Sequence, residues 1–309
     1  MRKFLVKNII ILIIILIPFY IADYYKTKEY RSNNYYPFST WNDIVDGKID
    51  SDLLILGSSR AWVQYNPMIL DSLLNVSSYN LGCDGEFLYP ELQCYEITRA
   101  YNPAPKYVLL DIFFNSLTVE LTTPRCKFIY TPYIYKPKFR KIVRKNANLS
   151  IPYLFFPYYR YNECSGDEMV FLEPTVKPIK GFSPKEAKWD GKNMQRLDTV
   201  QYYRETKAIS LLEDFLKKSK KDSVSIILIH SPFERRGFEK IQDHEEMINL
   251  FRSIAERNGV PFLDYTEDPI CYDTLNFYNA MHLNAHGADL FSVKLAHDLD
   301  SLGLIPARK

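Results

Sequence analysis

Hydrophobic residues follow two patterns along this chain. At the N-terminus they are continuous: residues 9–17 are nine consecutive Ile or Leu, and apolar character persists through Phe19, Tyr20, Ile21 and Ala22. Upstream, Phe4, Leu5 and Val6 are separated from this run only by Lys7 and Asn8. Counted strictly, the run is about 14 residues, the length of a signal-peptide core; counted from Phe4, with the Lys7 ammonium snorkelling to the headgroups, it is about 19, enough to span a bilayer. A signal peptide ends in small residues. Here the exit is Phe19-Tyr20-Ile21-Ala22-Asp23-Tyr24-Tyr25, which reads as an interfacial aromatic belt. A buried core helix is the other alternative, but unbroken Ile/Leu offers solvent no polar face. The expectation is an uncleaved signal anchor, a transmembrane helix over residues 1–22.

After a polar tether at 23–50, apolar runs become short and alternate with amphipathic stretches. Residues 52–57, 77–82, 106–114, 223–230 and 260–264 read as buried strands, short and apolar and bounded by turn residues. Between them, 67–74, 86–101, 205–221, 238–258 and 284–302 show helical spacing; Gly259 and Gly303 close the last two. Strands alternating with helices predict an α/β domain over 51–309, with a parallel sheet covered on both faces. Ligands of such sheets bind at the strands' carboxyl ends, so chemistry is expected just after Leu56, Leu81, Phe114 and His230.

The alternation breaks at about 117–200, too long for a structureless loop without a function. This stretch is rich in Tyr, Phe and Pro, and carries a basic run over 136–145. It reads as an insertion lying over the site, with aromatic faces suited to sugar rings, or equally as a satellite core packed on the sheet. The basic run suits an anionic polymer or lipid headgroups, or is a solvated helix face.

Composition then narrows the classes. The chain has 309 residues, with 39 Lys+Arg against 37 Asp+Glu. A net charge of +2 gives no global basic field for a nucleic-acid partner. Five Cys (83, 94, 126, 164, 271) show no CxxC, hence no zinc site and no clear disulfide framework; most read as small buried hydrophobes. There is no HExxH, GxGxxG or P-loop, so no metal or nucleotide cofactor is expected. Basic residues flank the apolar head on both sides and leave its orientation open.

Candidate chemistry follows the strand ends. Ser58 and Ser59 sit where a strand turns into a helix, a place that raises a hydroxyl above the sheet edge or merely caps the helix. His282 lies in a loop before the last helix and is a candidate general base for a Ser. Among the other His, His244 and His297 fall within helical patterns, His286 points elsewhere as the segment turns helical, and His230 ends a strand and is placed to line a site. Gly82 permits close approach of a backbone N–H, and Asn115 offers an amide donor to an oxyanion; each alone is also an ordinary turn residue.

Four blocks together resemble a known superfamily. Leu56-Gly-Ser-Ser59 is similar to a GDS block with Ser58 in the Asp position, Asn80-Leu-Gly82 to a glycine block, Asp111-Ile-Phe-Phe-Asn115 to an asparagine block, and Asn279-Ala-Met-His282-Leu-Asn to a D-x-x-H-L-N block. Their order resembles the SGNH (GDSL-type) hydrolases, and most of all the membrane-anchored branch that includes D-alanyl-lipoteichoic-acid biosynthesis and alginate-type O-acetylation proteins. The resemblance covers about 50–116 and 223–303. It implies a three-layer α/β/α flavodoxin-like fold with a central five-stranded parallel sheet. It also implies Ser59 as nucleophile, His282 as general base and then acid, and an oxyanion hole from the N–H groups of Ser59 and Gly82 with the Asn115 side chain. The Asp expected three residues before the His is Asn279. Either Asp273 or Asp84 stands in for it, or a Ser–His pair works with Asn279 orienting the ring, or the protein is a weak or inactive member.

The function implied is a serine esterase or O-acyltransferase acting on an acylated carbohydrate or cell-envelope polymer, with no cofactor. Further implications are attachment to the bacterial cytoplasmic membrane through residues 4–22, a domain on the outer side, and a membrane-bound O-acyltransferase as partner. The rival is a non-catalytic envelope protein that binds polysaccharide or scaffolds an acylation complex.

Overall fold

The computed structural model describes residues 1–118, 127–144, 149–162, 177–191 and 204–307. Strands β1 (Leu53–Leu56), β2 (Ser78–Asn80), β3 (Tyr107–Asp111), β4 (Ser225–His230) and β5 (Phe262–Asp264) form one parallel sheet in the order β2-β1-β3-β4-β5. This is the flavodoxin-like order. All five strands lie inside the segments expected from sequence. Their side chains alternate between two cores: Leu54, Leu56, Val108, Leu110, Ile226 and Leu228 enter one, and Leu53, Ile55, Leu109, Ile227 and Ile229 the other. A strand buried on both faces needs no polar position, so the runs are uniformly apolar.

Helices α1 (Arg2–Arg31), α2 (Phe38–Val45), α3 (Ser59–Gln64), α4 (Pro67–Leu74) and α5 (Leu88–Tyr101) precede β3. They are followed by α6 (Pro137–Arg144), α7 (Ile151–Phe155), α8 (Tyr159–Asn162), α9 (Thr206–Lys221), α10 (Arg235–Phe238), α11 (His244–Asn258) and α12 (Ala285–Ser301). Residues of α4 and α12 fill the core on one sheet face; residues of α2, α5, α9 and α11 fill the other. The expected three-layer α/β/α architecture is therefore present.

Three expectations change. The stretch read as a polar tether at 23–50 is folded. α1 continues to Arg31, and α2 buries Phe38, Trp41, Ile44 and Val45 in the main core. Their i, i+3, i+6, i+7 spacing is a one-sided apolar stripe, diluted in composition by the polar residues between. The helix expected over 238–258 starts later, at His244: Phe238 ends the separate short α10, and Asp243, at the N-cap of α11, adopts a left-handed backbone (φ 57°). The insertion at 117–200, where described, is mostly neither a cover for the site nor a separate satellite core: Tyr130, Tyr133, Phe139 and Tyr153 join Trp41 in the main core. Trp41 meets Tyr130 edge-on at 5.2 Å and Phe139 at 6.0 Å. Only 177–191 runs beside the strand ends, where Ser183 N–H donates to Trp62 O and Ala285 N–H to Lys185 O.

α1 is long and apolar enough to cross a membrane, and none of its apolar window is buried within the protein. That removes the core-helix alternative. Cys83, Cys94 and Cys271 are buried and unbridged, while Cys126 and Cys164 lie outside the described residues.

Candidate active site

β1 ends at Leu56, and Gly57 makes the turn into α3 at φ 144°. A Cβ at Gly57 would lie 2.8 Å from Ala61 Cβ and 2.9 Å from Asp111 Cβ, so only glycine fits between β1, α3 and β3. Ser58 holds the N-cap position of α3 without a side-chain cap bond. Ser59 is the first helical residue and lines the pocket at this end of the sheet.

From the far end of the chain, β6 (Phe277–Asn279) and β7 (His282–Leu283) form a small antiparallel hairpin that pairs Asn279 with His282. Gln64 Oε1 accepts the Leu283 N–H at 3.3 Å and so ties the hairpin to α3. Just beyond, Asn284 caps α12 by accepting the Gly287 N–H at 3.0 Å. A Cβ at Gly287 would fall 2.1 Å from Asn276 O, which explains the Gly of the His-Leu-Asn-x-x-Gly ending by close approach.

The two parts meet in a hydrogen-bonded line. Ser59 Oγ lies 2.7 Å from His282 Nε2, and His282 Nδ1 lies 2.9 Å from Asn279 Oδ1. An amide oxygen only accepts, so Nδ1 carries the proton and Nε2 is the free acceptor for the Ser59 hydroxyl. Asn279 Oδ1 also accepts the Met281 N–H at 2.9 Å, fixing the turn that carries the His. The Tyr278 ring stacks on the imidazole, with centroids 5.3 Å apart. Burial, and then the positive charges of Arg60 and Lys185, push the His282 pKa down to about 3. The ring is a neutral acceptor at physiological pH.

Neither candidate substitute acid occupies this line. Asp273 is exposed and caps a 3-10 turn, accepting the Leu275 N–H at 2.9 Å. Asp84 faces Lys185, and its carboxyl is pushed up by burial against that opposing charge. The expectation for Gly82 also changes. Its N–H donates to Asn80 Oδ1 at 2.8 Å and is already used. Gly82 is required for packing: a Cβ there would sit 2.2 Å from Trp62 N. Asn115 lines the pocket beside Ser59, and no other described residue bonds its side-chain amide.

The pocket has a volume of about 140 Å³ and is walled by Phe87, Phe113, Phe114 and Met281, with Ser58, Ser59, Arg60, Glu86, Asn115 and His282 as polar lining. His230 is buried behind it, packed on Phe238 at 5.5 Å and held well below its usual pKa by burial and Arg60. It does not line the pocket. His286 and His297 are exposed on α12, as expected, and His244 contacts Ile241 O at 3.0 Å.

Sequence reasoning missed Arg60. This guanidinium is 1% exposed and lines the pocket. Nη2 donates to Ser231 Oγ at 2.8 Å and also to Ser231 O, and Nε stands 3.8 Å from Asp111 Oδ1. Asp111 Oδ2 accepts the Tyr65 hydroxyl at 2.9 Å and the Ser231 hydroxyl at 2.5 Å. Nη1 has no hydrogen-bond partner among the described residues. An Arg beside a Ser gives no pattern in sequence; only the fold brings Asp111 and Ser231 to it.

Chemically, the arrangement holds a hydroxyl against a neutral base in a small, mostly apolar cavity. Among the described residues no cluster of His, Cys, Asp or Glu is placed to hold a metal ion.

No family model and no curated protein matches this chain. Among solved structures, it is similar to a Streptococcus pneumonia protein provisionally described as a platelet activating factor, at 13% identity and TM-score 0.42, over 95% of this chain and 99% of that one. It is also similar to a protein from Desulfitobacterium hafniense DCB-2 provisionally described as lipolytic, of the G-D-S-L family, at 10% identity and TM-score 0.40, over 79% of this chain and 97% of that one. A Bacteroides fragilis NCTC 9343 protein provisionally described as an acylhydrolase overlaps at 12% identity and TM-score 0.40, over 81% of this chain and 86% of that one. Overlaps this loose position no residue of this chain.

Proposed function

We propose that this chain is a membrane-anchored serine acyl-ester enzyme of the SGNH type, a hydrolase or O-acyltransferase that works through a Ser59 acyl-enzyme. The observation that carries the reading is the line Ser59 Oγ–His282–Asn279 at the carboxyl end of a parallel sheet. Ser59 Oγ attacks the ester carbonyl as its proton passes to His282 Nε2. The tetrahedral oxyanion collapses, the C–O bond breaks, and the imidazolium returns the proton to the leaving alkoxide. Water or a sugar hydroxyl then attacks the acyl-enzyme by the same route, giving hydrolysis or transfer. The Ser59 N–H at the start of α3 and the Asn115 amide are the oxyanion donors in this reading; losing one such donor typically costs ~3 kcal/mol of barrier.

The substrate class is an acylated carbohydrate or cell-envelope polymer, with α1 as anchor in the bacterial cytoplasmic membrane and the domain on its outer side. A membrane-bound O-acyltransferase is the proposed partner. The small pocket suits a short acyl group better than a fatty chain. A second reading, a weak or inactive member that binds polysaccharide or scaffolds an acylation complex, is favoured by Asn279, which gives the imidazolium no negative charge.

Incubating the full chain in detergent with a fluorophosphonate and an aryl acetate separates the two. Labelling and turnover that vanish in Ser59→Ala and His282→Ala are expected. No labelling and no turnover in the unaltered chain would leave the binding protein as the answer.

A further inference from the structure

The apolar part of α1 ends at Ala22. One residue on, Asp23 accepts from Tyr158 N–H at 2.8 Å and from Arg160 Nη2 at 2.6 Å. One helical turn further, Thr27 and Tyr161 share a hydrogen bond of 2.6 Å. At ~1.5 Å rise per residue, α8 meets α1 within a few ångströms of the end of its apolar stretch, inside a headgroup zone about 5–8 Å thick.

On α8 and the neighbouring α7 the domain exposes large apolar side chains. Ile151 is 74% exposed, Phe155 56%, Phe156 57% and Tyr159 39%. Next to them lies α6, which buries Phe139, Ile142 and Val143 and turns Lys138, Lys141 and Arg144 outward. Arg140 joins the two surfaces, its guanidinium 5.3 Å from the Phe155 ring centroid. A shallow basin of about 460 Å³ is lined by Pro137, Arg140, Lys141 and Arg144. Among the described residues no acidic side chain pairs with these cations. An apolar edge rimmed by basic side chains is the composition of a surface that lies in a bilayer interface.

We propose that α6 and α7 form a second membrane contact: Ile151, Phe155, Phe156 and Tyr159 dip into the acyl–headgroup boundary, and Arg140, Lys141 and Arg144 sit against anionic lipid phosphates. This rests on the reading of α1 as a membrane span. Each cation near an anionic surface contributes on the order of 1 kcal/mol, diminished by salt. The domain is thereby held to the membrane at two points.

The test uses the full chain in vesicles of phosphatidylcholine and phosphatidylglycerol whose acyl chains carry bromine, a quencher of indole fluorescence. Phe156→Trp is read against the unaltered chain as background, and Leu12→Trp, inside the apolar run, reports on α1. The expected result is quenching at position 156 that weakens in high salt and in vesicles of phosphatidylcholine alone. Quenching at position 12 without quenching at position 156 overturns the proposal and leaves the anchor standing. No quenching at either position removes the anchor and the proposal together. Equal quenching with and without phosphatidylglycerol removes the role given to the basic residues. An unquenched position 156 in a dimer that Phe156→Asp dissociates assigns the patch to a second copy, which also overturns the proposal.

Discussion

At His282, a single atom type decides how the site works. An Asp in place of Asn279 would stabilise the imidazolium by Coulomb attraction; the amide oxygen orients the ring and holds its tautomer but adds no charge. With its pKa near 3, the protonated ring costs roughly 5 kcal/mol more than free imidazole. Asn279→Asp is therefore expected to raise aryl-acetate turnover and to move the acidic limb of the pH profile upward. An unchanged limb would mean that another group already serves the ring. The residue scale was partly legible in sequence. Ser59, His282 and Asn279 stand in short recognisable blocks, and the structure brings those three together. The oxyanion donor at Gly82 and the substitute carboxylates were misread, because what an N–H or a carboxylate bonds to is a property of the fold.

At the scale of elements, α3 is the part on which the site depends. It carries Ser59 and Arg60, takes the His hairpin through Gln64, and packs so closely on the segment after β2 that Gly82 admits no side chain. Gly82→Ala forces α3 or that segment to move and is expected to cost about 1–3 kcal/mol of stability. Fluorophosphonate labelling of Ser59 should fall further than stability does. A melting point and labelling rate equal to those of the unaltered chain would show that the contact is loose. The strands were legible because a buried parallel sheet writes itself as apolar runs. α2 was not, since its few apolar residues are thinly spread through a polar stretch. The later start of α11 was hidden as well, because one left-handed residue, Asp243, does not disturb the apolar spacing on either side.

Over the whole molecule, buried ionisable groups couple folding to pH. His282 takes no proton when folded until about pH 3, whereas the unfolded chain binds one near pH 6.5. Protons therefore favour the unfolded state as pH falls, and stability drops through this window. Buried Glu91, Asp84 and Asp111 have raised pKa values and act in the opposite direction, so the contribution of His282 is read as a difference. Between pH 7 and pH 5 the unaltered chain should lose about 2 kcal/mol relative to His282→Gln. Parallel melting curves would contradict this. The molecule's other large-scale property is the continuity of α1. A flexible chain over residues 23–50 would let the domain wander ~30 Å from its point of attachment. Instead α1 runs on to Arg31, is clasped by Arg160 and Tyr161, and passes through Arg31 and Asn42 (2.7 Å) into the core. In the proposed reading, with α1 in the bilayer, Ser59 stands as on a fixed arm and not on a leash: its distance from the bilayer is set by helix length. On that reading, substrates held at that height would meet Ser59 at high effective concentration, and those beyond it would be out of reach however tightly the pocket bound them.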